Sequence, residues 1–250
     1  REVERYAGVE VVGVIRRNDD MHLAMRHLGL VPVLEGKTRH EGFENRVSRI
    51  REIVEEGINL NRIIEIAGGA EPLAEVQPDL YRKNSAGGGL AIGVARDEAF
   101  NFYYRDNLEM MELAGAEVVP FSPVHDRALP DVDGLYIGGG YPELYAWELS
   151  ENSGMLSSLE SVHQRGQPNI AECGGLMYLG REIDWEGERQ EMAGRMPGKA
   201  RRGDVRVVSY VHGRLTRDSP LGRAGQAIMG HEFHHSEMIM DEGVDYAIRL

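Results

Sequence analysis

The sequence predicts an α/β protein whose mostly parallel sheet is covered by helices on both faces. Apolar strand-like runs alternate with helix-like runs between residues 90 and 183, which is typical of parallel sheets. The 250 residues, 42% hydrophobic and 28% charged, suit a globular protein that needs no disulfide to fold. A stretch rich in Gly and Pro at 68–89 predicts a linker. We therefore expect one domain over 1–80 and a second over 90–250.

Net charge and cysteine content narrow the function classes. The formal net charge of −13 disfavours nucleic-acid binding, which needs a cationic face. Because no apolar run reaches the roughly 18 residues of a membrane span, we expect no membrane association. The single Cys excludes a disulfide framework and a multi-Cys zinc site, and it fits a reducing cytoplasm.

The first domain contains two short apolar runs and two helical patterns. The β-branched run VEVVGVI at 9–15 predicts a strand, and a second apolar run lies within 27–35. Apolar residues at helical spacing predict a helix over 41–58. Another helix is expected over 58–67, with Asn59 as its N-cap.

The second domain begins as an alternation of strands and helices and ends in strands alone. Strands are predicted at 90–97, 116–123, 134–140 and 168–173. Helices are predicted at 102–115, 144–166 (with a break near Gly154) and 174–183. Three short strands are predicted at 206–215, 226–238 and 245–250.

The segment IAECGGLMYL (170–179) places Cys173 between a strand and a helix, followed by two glycines. This order resembles a nucleophile elbow, in which a sharp turn exposes the side chain at the end of the sheet. A helix N-terminus behind the sulfur lowers the pKa of a thiol. A buried structural cysteine is the alternative interpretation.

A second glycine turn follows the strand in GLYIGGGYPEL (134–144). Backbone N–H groups at such a turn can hold a developing oxyanion, although an ordinary strand-to-helix turn has the same composition. Both this turn and Cys173 are expected at the carboxyl ends of parallel strands, where α/β sheets place their sites.

Three histidines occur in GHEFHHSE (230–237). One of them could be the base that deprotonates Cys173, the cluster could hold a metal, or each could be a solvated strand residue. In a strand, His231 and His235 share one face and His234 lies on the other. A fourth segment, ARDEAFNFYYRDN (95–107), is either a capped helix with an aromatic core face or a surface that holds a substrate or a partner domain.

Six segments together resemble the cobyrinate a,c-diamide synthase family of class I glutamine amidotransferases, which includes nickel-sirohydrochlorin a,c-diamide synthases. They are RHLGLVPVLE (26–35), ARDEAFNFYY (95–104), FSPVHD (121–126), LPDVDGLYIGGGYPEL (129–144), AECGGLMYL (171–179) and GHEFHHSE (230–237). The resemblance implies an enzyme that amidates the a and c acetate side chains of a tetrapyrrole, either cobyrinate or nickel-sirohydrochlorin, with ammonia from glutamine.

The resemblance also implies two domains. A dethiobiotin-synthetase-like α/β domain binds ATP and Mg²⁺, and a glutamine amidotransferase domain without a cofactor supplies ammonia. Residues 1–80 resemble only the end of the synthetase domain, and 90–250 resemble the amidotransferase domain shortened at its C-terminus. We therefore expect a fragment that works with its own N-terminal synthetase domain. Large sheet faces are compatible with a homodimer.

When the roles of the family's motif residues are carried over to this sequence, the resemblance implies Cys173 as the nucleophile and His234 as the catalytic histidine. It implies no metal at the site. Backbone N–H groups near Gly139 and Gly140 and that of Gly174 would bind the oxyanion. Many class I members place a Glu two residues after the histidine, whereas this chain has Ser236 there. Glu232 is the candidate orienting acid because it shares the strand face of His234. A non-catalytic amidotransferase-like binding module and a His-cluster metal protein are the alternatives.

Overall fold

The computed structural model describes residues 2–22, 42–74 and 88–250. The chain divides into two compact units, Arg1–Pro78 and Asp79–Leu250. Among the described residues, no helix has both the length and the apolar character that crossing a membrane requires.

The described part of the first unit is helical. Its helices are Glu2–Ala7 (α1), Phe43–Gly57 (α2) and Leu60–Gly68 (α3), and a 3₁₀ turn spans Asp19–Met21. Both predicted helices, 41–58 and 58–67, are confirmed within a few residues. The predicted cap is also present, because the Asn59 side chain accepts a hydrogen bond from the Arg62 N–H.

The strand predicted at 9–15 is wrong. Only Gly13 forms a β-bridge, to Ile58, and Val14 remains largely exposed. A β-branched run becomes a strand only when a neighbouring strand satisfies its backbone groups, and here the loop at Gly57–Asn59 supplies just two such bonds. The apolar run at 27–35 lies outside the described residues, as does most of the predicted linker.

The second unit is α/β and is built on a parallel sheet, as predicted. Its strands are Ala91–Ala95 (β1), Glu117–Phe121 (β3), Gly134–Ile137 (β4) and Asn169–Ala171 (β6), in the spatial order β3-β1-β4-β6. All three neighbouring pairs are parallel, so the carboxyl ends of the four strands meet at one edge. A short antiparallel pair, Phe100–Phe102 (β2) with Gly139–Gly140 (β5), joins this edge to the glycine turn.

Helices follow the strands of this sheet. They are Arg105–Leu113 (α4), Ala146–Glu151 (α5), Ser153–Gln164 (α6) and Gly174–Leu179 (α7), with a 3₁₀ turn at Pro142–Tyr145. Helix α6 buries Met155, Leu159 and Val162, one face at helical spacing. The break predicted near Gly154 falls at Asn152, whose side chain caps α6 by accepting from the Met155 N–H.

A second sheet extends beyond the parallel one. Its strands are Glu182–Trp185 (β7), Glu188–Glu191 (β8), Gly198–Leu215 (β9), Ala227–Met240 (β10) and Ile248–Arg249 (β11). The pairs are antiparallel except β7 with β9. The helix predicted to reach residue 183 ends at Leu179, because the chain turns extended at Gly180 and enters β7. The strand predicted at 226–238 is confirmed as β10, the one at 206–215 is the second half of the longer β9, and the one at 245–250 is reduced to β11.

Asp97 anchors the loop between β1 and β2. It is buried, with 5% of its surface exposed, and its two oxygens accept four hydrogen bonds. The donors are the N–H groups of Ala99, Phe100 and Val124 and the hydroxyl of Ser122. Asp97 therefore has a structural role, since it ties the loop after β1 to the loop after β3.

Candidate active site

Cys173 lies at a sharp turn between β6 and α7. Its backbone has φ 50° and ψ −110°, a conformation that costs a non-glycine residue about 1–3 kcal/mol. The turn is held in place because the Gly175 N–H donates to the carbonyl oxygens of Gly138 and Glu172 at 3.0 and 2.9 Å. A strained residue at the carboxyl edge of a parallel sheet fits the predicted nucleophile elbow.

The glycines around Cys173 are required by close packing. A Cβ atom on Gly175 would lie 2.1 Å from the carbonyl oxygen of Ile137, and one on Gly140 would lie 1.9 Å from that of Ala99. Both neighbours are backbone atoms that cannot move aside cheaply. The elbow can therefore pack against the end of β4, and the β5 turn against Ala99, only without side chains at these positions.

The sulfur of Cys173 contacts the glycine turn directly. Backbone N–H groups of Gly140 and Gly174 donate hydrogen bonds to it. A Cβ atom on Gly139 would lie 3.5 Å from Cβ of Cys173, so the turn and the elbow are in van der Waals contact. The structure thus brings together Cys173 and the three predicted glycines, Gly139, Gly140 and Gly174.

Burial raises the pKa of the Cys173 thiol, and the negative charges of Glu143 and Glu172 raise it further. The hydrogen bonds from Gly174 and Gly140 act in the opposite direction, because they stabilise the thiolate, but burial dominates. The thiol is therefore protonated at neutral pH in this arrangement. A nucleophilic reaction here requires a base that removes the proton.

An open cavity of about 710 Å³ lies beside Cys173. Its lining residues are Phe102, Tyr103, Tyr104, Asn107, Gly139, Glu172, Cys173, Met229, Gly230, His231 and Phe233. His231 reaches it from β10, with Nε2 3.3 Å from the Tyr104 hydroxyl oxygen. The cavity can therefore hold a small polar ligand against the sulfur.

The structure places the predicted histidine and acid elsewhere on β10. His234 is not among the residues that line the cavity, and its Nδ1 lies 2.8 Å from the carbonyl oxygen of Ser236. Glu232 lines a neighbouring cavity together with Tyr104 and Tyr210. Strand alternation explains this, because Met229, His231 and Phe233 share the face towards Cys173. The sequence motif gave no reason to prefer that face.

Sequence reasoning missed a hydrogen-bonded group of aromatic and polar side chains beneath the cavity. The Tyr103 hydroxyl accepts from the Gly138 N–H at 2.8 Å and contacts the carbonyl oxygen of Ala95. The Tyr136 hydroxyl donates to Glu172 Oε2 at 2.8 Å. The aromatic run at 100–104 was a visible signal, whereas the Tyr136–Glu172 contact joins residues 36 positions apart and could not be read from spacing.

The described residues contain no group of three or more His, Cys, Asp or Glu side chains arranged to hold a metal ion. The three histidines of β10 therefore have no set of metal ligands around them within those ranges.

Comparison with protein families identifies the second unit. Residues 91–250 match the CobB/CobQ-like glutamine amidotransferase domain. The chain belongs to this family. The predicted resemblance, the α/β fold class and the assignment to a glutamine amidotransferase are thereby confirmed.

Curated members of the family extend the similarity to nearly the whole chain. A protein named cobyrinate a,c-diamide synthase in Methanosarcina acetivorans is 47% identical, and the match covers 99% of this chain and 54% of that protein. A protein of the same name in Listeria monocytogenes is 38% identical, and the match covers 94% of this chain and 51% of that protein. The chain spans about half the length of the curated relatives it matches.

Among solved structures, "Structure of PurLQS from Thermotoga maritima" is similar with a TM-score of 0.47 and 15% identity, over 64% of this chain and 74% of that one.

Proposed function

We propose that this chain is the glutaminase part of a cobyrinate a,c-diamide synthase. It hydrolyses glutamine at Cys173 and delivers ammonia for amidation of the a and c acetate side chains of a tetrapyrrole. The observation that carries the proposal is the strained turn at Cys173, whose sulfur accepts N–H groups from Gly140 and Gly174 beside an open cavity. The names of its relatives supply the ring substrate.

The chemistry begins when the Cys173 sulfur attacks the carboxamide carbon of glutamine. An S–C bond forms, the C–N bond breaks, and the thiol proton passes through an imidazole to the leaving ammonia. Water then hydrolyses the γ-glutamyl thioester to glutamate. N–H groups of the Gly139–Gly140 segment and of Gly174 stabilise the oxyanion in both steps.

We propose His234 as the base, supported by its position in the family motif and by its contact with Ser236. With Nδ1 protonated and donating to the Ser236 carbonyl, the ring keeps the lone pair on Nε2. That carbonyl oxygen orients the imidazole ring, which is the role of the Glu that many class I members place at this position. Glu232 is then not needed as the orienting acid. His234 lies on the β10 face opposite His231, so β10 must rearrange when glutamine binds for Nε2 to reach the thiol.

We place the ATP and Mg²⁺ sites in the length of the relatives that this chain does not span. The chain contains no G-x-x-x-x-G-K-[S/T] phosphate loop. Activation of the ring carboxylates by ATP and Mg²⁺ would therefore take place in a synthetase domain of the complete cytoplasmic enzyme, with residues 1–80 as the end of that domain.

The test separates glutamine use from amidation in the full-length protein. The Cys173→Ala variant should lose glutamine-dependent amidation of cobyrinate by several orders of magnitude. It should keep amidation when ammonium chloride replaces glutamine, because the synthetase chemistry does not use the thiol. Product analysis by mass spectrometry measures both. Equal amidation with glutamine in wild type and variant would refute the proposal. Amidation of nickel-sirohydrochlorin but not cobyrinate would assign the other ring.

A further inference from the structure

Glu172, directly before the nucleophile, has no role in the steps above. Its carboxylate is solvent-accessible and lines the cavity with Cys173. It is the only carboxylate among the lining residues, and His231 is the only basic side chain there. A glutamine molecule brings one ammonium group into this cavity, and among the described lining residues Glu172 is the group of opposite charge.

The carboxylate of Glu172 is held in a fixed orientation. Oε2 accepts the Tyr136 hydroxyl at 2.8 Å, and Tyr136 is 3% exposed. Burial and the bond to Glu172 raise the pKa of Tyr136 to about 12, so this phenol stays protonated and keeps donating. The Tyr136 ring packs edge-on against Tyr103, with ring centroids 5.2 Å apart, and its hydroxyl also bonds the Asn107 side chain.

Only one oxygen of Glu172 is used in this way. Among the described residues, Oε1 of Glu172 has no hydrogen-bond donor, so this oxygen can accept a hydrogen bond from a ligand. Consecutive Cα atoms are about 3.8 Å apart. Four bonds separate the α-nitrogen of glutamine from its carboxamide carbon. Glu172 and Cys173 both line the cavity, so one bound glutamine can present its ammonium group to Glu172 and its carboxamide to Cys173.

We infer that the Glu172 carboxylate binds the α-ammonium group of glutamine and thereby selects amino-acid amides over simple amides. The inference rests on the proposed glutaminase function and assigns a specificity residue to it. It also explains why a negative charge is tolerated beside a thiol that must ionise. The substrate ammonium neutralises Glu172 at the moment when the thiolate is needed.

The experiment compares two amides in a glutaminase assay of the purified protein. L-glutamine carries the ammonium group, and glutaramate is the same molecule without it. Glu172→Gln should raise the KM for glutamine by about ten- to a hundredfold, the range expected for a charge-assisted hydrogen bond. Its kcat/KM for glutaramate should stay the same or rise.

Glu143→Gln is the matched control. Glu143 also raises the pKa of the Cys173 thiol, but it is not among the residues that line the cavity. Both variants should shift the pH profile of Cys173 alkylation by iodoacetamide towards lower pH, because each removes a negative charge near the sulfur. Only Glu172→Gln should change the KM for glutamine.

The outcomes of these experiments test the role of Glu172 separately from the proposed glutaminase function. If Glu172→Gln keeps the wild-type KM for glutamine, or weakens glutamine and glutaramate equally, the inference is wrong while glutaminase activity stands. If Cys173→Ala hydrolyses glutamine as wild type does, the proposed function fails and the inference with it.

Discussion

At the scale of single residues, Cys173 faces two opposing requirements. Burial and two nearby carboxylates raise the pKa of its thiol, while the reaction needs a thiolate. Backbone N–H groups of Gly140 and Gly174 offset only part of this. The site therefore depends on a base, and β10 offers His234 by motif and His231 by proximity to the cavity.

Histidine variants decide between these two residues. We expect His234→Ala to lower kcat for glutamine hydrolysis by about 10²- to 10⁴-fold, the usual contribution of general-base catalysis. His231→Ala should act mainly on KM, because its ring lines the cavity and contacts Tyr104. His163→Ala, at the exposed end of α6, is the control. A kcat loss that is larger for His231→Ala than for His234→Ala would make His231 the base.

At the scale of elements, the elbow works because β4, β5 and α7 approach within backbone contact. Gly175→Ala should be destabilised by about 1–3 kcal/mol, since its Cβ would lie 2.1 Å from the Ile137 carbonyl oxygen. Glutaminase activity should fall with it, because the turn that carries Cys173 has to shift. Thermal unfolding and steady-state rates measure the two effects.

Gly88→Ala is the control for this prediction, because a Cβ there meets no atom within 4 Å. A Gly175→Ala protein that unfolds at the wild-type temperature and keeps wild-type activity would show that the close packing of Gly175 on Ile137 supports neither stability nor activity.

Elements encoded by their own residues could be predicted, and those created by distant partners could not. The helices Phe43–Gly57 and Leu60–Gly68 follow from local periodicity, and the turn at Cys173 follows from its flanking glycines. Strand β9 was missed over its first half, KARRGDV, because charged residues hide the alternation. Its pairing with β7 and β10 supplies the backbone bonds that hold it extended.

The same limit applies to the candidate site. The sequence identified Cys173 and Gly174 because they are consecutive, and it identified Gly139 and Gly140 because they belong to a recognisable glycine motif. It could not show that Tyr136 holds Glu172, or that β10 turns His231 rather than His234 towards the cavity. Those relations depend on strand register and face, which are set by contacts far apart in the chain.

At the scale of the whole molecule, the second unit contains the elbow, the glycine turn, the cavity and the three histidines of β10. The residues that the proposed glutamine hydrolysis uses therefore lie between Asp79 and Leu250. In the proposed function, amidation of a tetrapyrrole also uses a synthetase domain. Hydrolysis at Cys173 is the step on which the whole account depends.

Trapping the covalent intermediate tests that step most directly. The purified protein is mixed with radiolabelled glutamine, quenched in acid and digested, and the labelled peptide is identified by mass spectrometry. We expect a γ-glutamyl label on the peptide containing Cys173, released by hydroxylamine as a thioester and absent from Cys173→Ala. Glutamine hydrolysis that continues in Cys173→Ala, or a label on any other residue, would contradict it.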